Sequence, residues 1–87
     1  MADKPIRFSG HARFELKRRG IPRALAEKTI RLPGQIIPSV KGREIYQSIM
    51  GRRRQVLLRV IVKEDDNAYH VVTAYKTTKV AKYWRDS

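Results

Sequence analysis

Three groups of side chains in this sequence are of the types that move protons or hold anions. In the first, His11, Glu15 and Arg18 share one stripe when the chain is wound at about 100° per residue, with Phe14 on one flank and Ala12 and Leu16 on the other. Arg13 and Lys17 point clearly away. An imidazole whose ordinary pKa lies near neutrality suits proton transfer, and a carboxylate one helical turn away can orient it. The same stripe, set inside an apolar arc, equally suits a partly buried hydrogen-bonded network that pins the helix in place.

The second group is a single residue. Arg59 interrupts the run Val56-Leu57-Leu58-Arg59-Val60-Ile61-Val62, which is otherwise apolar on both faces. A guanidinium there requires a partner. Either it pairs with Glu15 or Glu44, or it projects from a sheet face to hold a phosphate, for which its planar fork is well shaped. It is expected to share a cleft with His11 and Tyr75.

The third group lies toward the end of the chain. Tyr69, Val71, Thr73 and Tyr75 are expected to alternate onto one strand face, and Lys76, Lys79, Lys82 and Tyr83 follow. Rings interleaved with ammonium groups are what a single-stranded nucleic acid binds, bases stacking on the rings while cations follow the backbone. A solvated lysine face over core tyrosines is the plainer alternative. Arg52-Arg53-Arg54 reads first as a solvated hairpin tip and, in a chain of charge +12, alternatively as a source of phosphate contacts, and Arg43 joins it as a candidate nucleic-acid contact. Glu64-Asp65-Asp66 has the chemistry of a turn. The sequence shows neither a carboxylate cluster for a metal nor a Gly-rich phosphate loop.

Positioning these groups needs few elements. Ile6-Arg7-Phe8 is a short extended piece, and Ser9 is a helix N-cap before His11–Arg19, which Gly20 closes. Pro22 opens a second helix through Leu32, with Ile21, Leu25, Thr29 and Leu32 on one face, and Pro33-Gly34 stops it. Two helices joined so tightly form a hairpin. The period then changes: Gln35–Ser39, Arg43–Met50, Gln55–Lys63 and Ala68–Tyr75 are rich in Val, Ile and Tyr and are broken by Lys41-Gly42, Gly51-Arg52 and Asp65-Asp66-Asn67. These predict an antiparallel meander of about four strands. A short last helix over Thr78–Arg85 is expected to carry Val80 and Trp84 into the core. The predicted class is α+β, an N-terminal helical hairpin packed on a twisted antiparallel sheet with a short C-terminal helix.

Composition bounds what such a chain can do. Its 87 residues read as a single domain over 1–87, with a core too small for a deep cofactor cavity. Lysine and arginine total 20 against 8 acidic residues, a formal charge of +12, so a polyanionic partner is the first inference. The basic residues divide as nine in 1–34, seven in 41–63 and four in 76–85, which favours a basic face over a basic tail. Cysteine is absent, which excludes disulfides, thiol nucleophiles and Cys-ligated zinc. Two histidines leave little for any other metal site, and no cofactor is expected. No run approaches the ~20 apolar residues of a membrane helix, and the start MADKPIRF has no apolar leader, so no membrane partner and a cytoplasmic address are expected.

Several short motifs together carry a resemblance. His11-Ala12-x-x-Glu15-x-x-Arg18-Arg19-Gly20-Ile21, Pro33-x-Gln35, Gly42-Arg43-x-x-Tyr46-Gln47-Ser48, Leu58-Arg59-Val60 and Val72-Thr73-x-Tyr75-x-Thr77-x-Lys79-x-x-Lys82-Tyr83-Trp84 resemble a small family of unknown function. That family is in turn similar to the RelE- and BrnT-like toxins of bacterial type II toxin–antitoxin pairs. The similarity covers about residues 6–85. It implies a RelE-like microbial ribonuclease fold, an acidic antitoxin as partner, and metal-independent cleavage of single-stranded RNA or mRNA. Many relatives carry an arginine at the fourth position after the first-helix histidine, where this chain has Glu15.

On that reading the 2′-hydroxyl of RNA attacks the adjacent phosphate. His11, positioned by Glu15, is the acid or base; Arg59 and Lys79 stabilise the developing charge, with Arg18 and Lys82 as alternates, and Tyr75 orients the nucleotide. Arg43, Arg52, Arg53, Arg54, Lys76, Lys82 and Tyr83 are the candidate nucleic-acid contacts. The competing expectation is a non-catalytic module that holds nucleic acid or an acidic protein on the same basic face.

Overall fold

A computed structural model of the protein describes residues 4–86. The elements run β1 (Ile6–Phe8), α1 (Gly10–Arg18), α2 (Arg23–Arg31), β2 (Gln35–Pro38), β3 (Glu44–Met50), β4 (Val56–Glu64), β5 (Tyr69–Thr77) and α3 (Val80–Tyr83). The class is α+β, as the alternation of periods predicts. The sheet differs from the expected four-stranded antiparallel meander. It has five strands in the order β1-β5-β4-β3-β2, and it is mixed, because β1 pairs parallel to β5 through Ile6–Tyr69, Arg7–His70 and Phe8–Val71. A three-residue piece carries too little pattern to reveal that it joins the far end of the chain.

Local chemistry sets the helix ends. Ser9 Oγ accepts from the Ala12 amide at 3.0 Å and starts α1. At the other end Gly20 adopts a φ of 66°, while the amides of Gly20 and Ile21 donate to Lys17 and Leu16 carbonyls at 3.2 and 2.8 Å. This Schellman closure turns the chain and drops Ile21 into the core beside Leu16. Pro22 then caps α2 rather than lying inside it. The β2–β3 turn has Lys41 and Gly42 both at positive φ, 57° and 72°, the mirror-image turn that matches strand twist.

The sheet has two differently covered faces. On one, Tyr46, Leu58, Val60, Val62, Val71 and Ala74 meet Ala12, Leu16, Ile21, Ala26 and Ile30 from the helical layer. There α1 lies on β5 and β1, and α2 on β3 and β4. Fully burying each Leu or Val side chain contributes roughly 1.5–3 kcal/mol, which makes this interface the main source of stability. Thr29 is buried within it and satisfies its hydroxyl on the Leu25 carbonyl at 3.0 Å. Leu32, expected on the same face, is 72% exposed because α2 ends at Arg31.

The strand face expected from Tyr69, Val71, Thr73 and Tyr75 does not form as one row. Register shifts between Ile61 and Val62: Thr73 pairs with Ile61 and Val71 with Val62, leaving Val72 without a partner of its own. This bulge sends Tyr69 and Val71 to the helical face and Thr73 and Tyr75 to the other. The last helix is also shorter than expected. It is one turn, Val80–Tyr83, and neither Val80 nor Trp84 enters the helical core.

The β4–β5 turn is held by one carboxylate. Asp65 Oδ1 accepts from the amides of Asn67 and Ala68, both at 2.8 Å, and Oδ2 stands 2.9 Å from His70 Nε2. These two amides, and then His70, hold the Asp65 carboxyl below its ordinary value of 3.8. A carboxyl with a lowered folded pKa adds stability that is fully present above the unfolded pKa and is lost as pH falls through the folded one. Asp65→Asn keeps an acceptor for the turn but removes the charge. Its melting temperature is therefore expected to lie below wild type near pH 5, with the gap closing as pH falls below about 4. A gap that stays constant down to pH 2 in thermal melts would show that charge at Asp65 is not what holds the turn.

Candidate basic and aromatic interface

On the face away from α1 and α2, one row of side chains crosses four strands. Register aligns Gln35 with Gln47, Gln47 with Arg59, and Arg59 with Tyr75. Arg59 is only 7% exposed, and Gln47 is fully buried. Arg59 Nε donates to Gln47 Oε1 at 2.9 Å, and one Nη donates to the Tyr75 hydroxyl at 2.6 Å. With its oxygen committed to Arg59, the Gln47 amide turns its Nε2 outward, where it donates to Gln35 Oε1 at 2.8 Å and to the Tyr83 carbonyl at 3.2 Å. Among the described residues no carboxylate lies within ion-pair distance of Arg59. Neither Glu15 nor Glu44 is its partner: the residue is held by neutral groups and aromatic faces.

The C-terminal segment folds back over this row. The Tyr83 ring lies 4.3 Å from the Arg59 guanidinium and the Tyr75 ring 5.7 Å, so the cation sits against two π faces. Lys82 Nζ stands 5.2 Å from the Tyr83 ring. Beyond it, Gln35 clasps the backbone of Arg85 twice: its Nε2 donates to the Arg85 carbonyl, and its Oε1 accepts from the Arg85 amide at 3.1 Å. Trp84 therefore lies between two anchored neighbours. Its six-membered ring covers Gly34, where an added Cβ would come within 2.9 Å of Trp84 Cη2 and 3.2 Å of the Gln47 carbonyl. That close approach gives Gly34 a packing role.

Next to the indole an open groove of about 850 Å3 separates the C-terminal segment from the β3–β4 hairpin tip. Arg52, Arg53 and Arg54 line one wall with Gln55, and Thr78, Val80, Ala81, Trp84 and Asp86 line the other, over Ile49. Gly51 makes the tip possible. Its φ is 87°, and an added Cβ there would strike the Arg54 carbonyl.

The His11, Glu15 and Arg18 group forms, but elsewhere. It sits on α1, across the sheet from Arg59, so the expected shared cleft does not exist. The side faced inward is that of Ala12 and Leu16, which leaves the His11 side chain 70% exposed and turns Phe14 out to solvent. Glu15 is the hub: Arg18 bonds it at 2.7 and 2.9 Å, while His11 and Arg19 stand 3.8 Å away. The hydrogen bond from Arg18, with further help from the charges of Arg19 and His11, holds the Glu15 carboxyl below its ordinary value. A carboxylate already engaged by an arginine and standing at long range from the imidazole is better described as a salt-bridge centre than as an orienting group.

The remaining candidates divide between the ends of the sheet. Tyr75 and Tyr83 contact Arg59, Lys82 stands by the Tyr83 ring, and Lys79 is the residue that precedes α3. Lys76 pairs in register with Leu58 and so points to the helical side. Arg43 is at the opposite end of β3 from the arginine tip, roughly 20 Å of strand away, with its Nε buried and unbonded. Three contributors stand within the sequence motifs without a role that the sequence assigns to them. Gln35 and Gln47 are ordinary glutamines until register aligns them, although a Gln in mid-strand among apolar neighbours is the kind of signal that marks a buried polar contact. Arg19 is the third: it donates to the Ala74 carbonyl at 2.8 Å and Thr73 Oγ1 at 3.3 Å, covering the stretch of β5 that β1 is too short to pair.

What the fold and this face define is a small basic α+β protein in which a buried arginine, two tyrosines and a lysine meet where the C-terminal segment folds over the sheet. No family model, no curated protein and no solved structure matches the chain. Among the described residues no helix is long and apolar enough to cross a membrane, and no three His, Asp or Glu side chains converge as a metal site would require.

Arg59→Leu removes the donor that organises the row and strands the Gln47 and Tyr75 oxygens. Hydrogen bonds to a charged group contribute about 1.5–3 kcal/mol, so the melting temperature is expected to fall on the order of 10 °C. Limited proteolysis is expected to cut after Lys79 or Lys82 sooner than in wild type. Unchanged melting and unchanged protease resistance would remove Arg59 as the anchor of the C-terminal segment.

Proposed function

We propose that the protein is a single-stranded RNA-binding module acting through its C-terminal basic and aromatic face. The observation that carries this is the cluster in which the Tyr83 ring stands 4.3 Å from the Arg59 guanidinium and 5.2 Å from Lys82 Nζ, with Tyr75 alongside and no carboxylate within ion-pair distance of Arg59 among the described residues. Rings offer any base a stacking surface, and the formal charge of +12 attracts the phosphates. Binding of this kind needs no cofactor, and a cytoplasmic address belongs to the same proposal.

A second reading, metal-independent RNA cleavage by a toxin with an acidic antitoxin as partner, is supported by the motif resemblance and by the order of elements, a helical hairpin followed by a sheet. In this reading Arg59 and Tyr75 form the centre, and Lys79 is drawn from the C-terminal segment. His11, Glu15 and Arg18 act on a different face or not at all, because no phosphate reaches both sides of the sheet. An acidic antitoxin would cover the same basic face that RNA uses.

One set of experiments separates these readings. Affinity for a labelled single-stranded RNA is expected to fall steeply between 50 and 200 mM salt, as log-linear counterion release requires. A flat dependence, or no binding at low salt, would remove both readings. Incubation with RNA in the presence of a chelator then reports cleavage. A binding module leaves RNA intact; a toxin cuts it, and Tyr75→Phe is expected to slow the cut at least tenfold while His11→Ala leaves it unchanged. Loss of cleavage in His11→Ala alone would return the chemistry to α1.

A further inference from the structure

We propose that the groove between the Arg52-Arg53-Arg54 tip and the C-terminal segment is a nucleotide subsite, in which Trp84 stacks one base of a single strand and the arginine wall holds the flanking phosphates. This deepens the RNA-binding reading and rests on it. The groove is separate from the Arg59 cluster, and Trp84 takes no part in that cluster's polar contacts.

Two chain segments of different chemistry wall the groove. The hairpin tip brings three consecutive arginines, and the C-terminal segment brings Trp84 with Val80 and Ala81, while Ile49 adds a further apolar side chain to the lining. An apolar ligand would leave the arginines without partners, and a simple anion would leave the indole and its neighbours in water. A nucleotide strand has a flat apolar ring and a regularly spaced charge, and so satisfies both walls at once. The volume of about 850 Å3 falls within the range of small-ligand sites and leaves room for a base together with its sugar-phosphate.

Charge favours the same occupant. Asp86 is the single acidic residue among those lining the groove, against three arginines. The wall opposite the arginines is also fixed in advance. Tyr83 and Arg85, on either side of Trp84, are held by Gln47 and Gln35, while the six-membered ring of the indole packs on Gly34. A stacking platform that is already ordered loses little entropy when a base lands on it. An acidic peptide would use the arginine wall but has no regular flat group for the indole, so it is the lesser fit.

Trp84 is the only tryptophan in the chain, which makes its fluorescence a direct reporter of this groove. Full-length protein is titrated at fixed low salt with an unstructured oligouridylate and with an oligothymidylate of the same length, reading indole emission and the anisotropy of an end-labelled strand together. Saturable quenching that tracks anisotropy is expected for both strands. Combined replacement of Arg52, Arg53 and Arg54 by glutamine is expected to lower the salt slope by about 2, as three lost phosphate contacts on a single strand would. Trp84→Leu is expected to weaken binding roughly five- to a hundredfold, the range for losing one stacked base. Because Trp84→Leu could also loosen the segment, a melting curve accompanies it, and the arginine variant, whose side chains lie on the hairpin tip, stands as the independent check.

Anisotropy that reports tight RNA binding with unquenched Trp84 emission and an unchanged salt slope in the arginine variant would overturn the groove while leaving the RNA-binding reading standing. No binding of either strand at low salt would overturn both. Equal or stronger quenching by polyglutamate at the same ionic strength would overturn the groove as a nucleotide subsite and assign it to an acidic protein.

Discussion

Arginine can donate hydrogen bonds but cannot accept them, and this asymmetry sets the order of the whole polar row on the sheet. Because Arg59 needs acceptors, the oxygen of Gln47 must face it. The Gln47 nitrogen is then left pointing outward as a donor, so it takes the oxygen of Gln35 and the carbonyl of Tyr83. The Gln35 nitrogen, turned outward in the same way, takes the carbonyl of Arg85. One buried cation thus polarises two amides in sequence and, through them, fixes the main chain of the C-terminal segment. A carboxylate partner would have ended the chain of donors at its first step. Neutral partners pass the directionality on, which is how a segment with a single turn of helix becomes a built part of the fold.

Alternation along the strands imposes the second constraint. The central strand sends Leu58, Val60 and Val62 to the helices and therefore must send Leu57, Arg59 and Ile61 the other way. The helical hairpin can cover only one face. Whatever α1 carries on its outer surface, His11 included, is separated from Arg59 by the helix, the core and the sheet. Acid–base chemistry needs its groups within hydrogen-bond reach of one reacting centre, so the two clusters cannot serve one phosphate. The face without helices would be left bare if the C-terminal segment did not fold over it, and that segment brings Tyr83, Trp84, Lys79 and Lys82 with it.

Local signals made the helices and turns legible: Ser9 as a cap, Gly20 as a closure, Lys41-Gly42 as a break between strands, and the apolar run around Leu58 as a central strand. What escaped was non-local. A three-residue strand gives no periodic signal, and its parallel pairing with β5 depends on contacts more than sixty residues apart. The bulge at Val72 reversed the expected alignment of Tyr69 and Val71 with Tyr75, because strand parity holds only while register does. The rotation of α1 differs from the expected one because Phe14, 64% exposed, does not belong to the inward arc. Two small contacts, Ala12 and Leu16, decide the inward face once Gly20 and Ile21 fix how the helix ends. Arg59 was legible as a residue needing a partner, while the identity of that partner was not, since glutamines, tyrosines and carboxylates all satisfy the same requirement.

The indole at position 84 shows how closely fold and interface are joined here. Trp84 itself makes no side-chain hydrogen bond among the described residues; its place is set by the two residues beside it, each gripped through its backbone by a glutamine. Backbone anchoring leaves the side chains of Tyr83, Trp84 and Arg85 free to be chosen for something other than holding the segment down. In this chain they are a ring over the buried cation, a ring beside the arginine tip, and a further positive charge. The same segment is therefore fastened over the sheet by its main chain and builds a basic, aromatic surface with its side chains. Loss of the Arg59 anchor would remove both together.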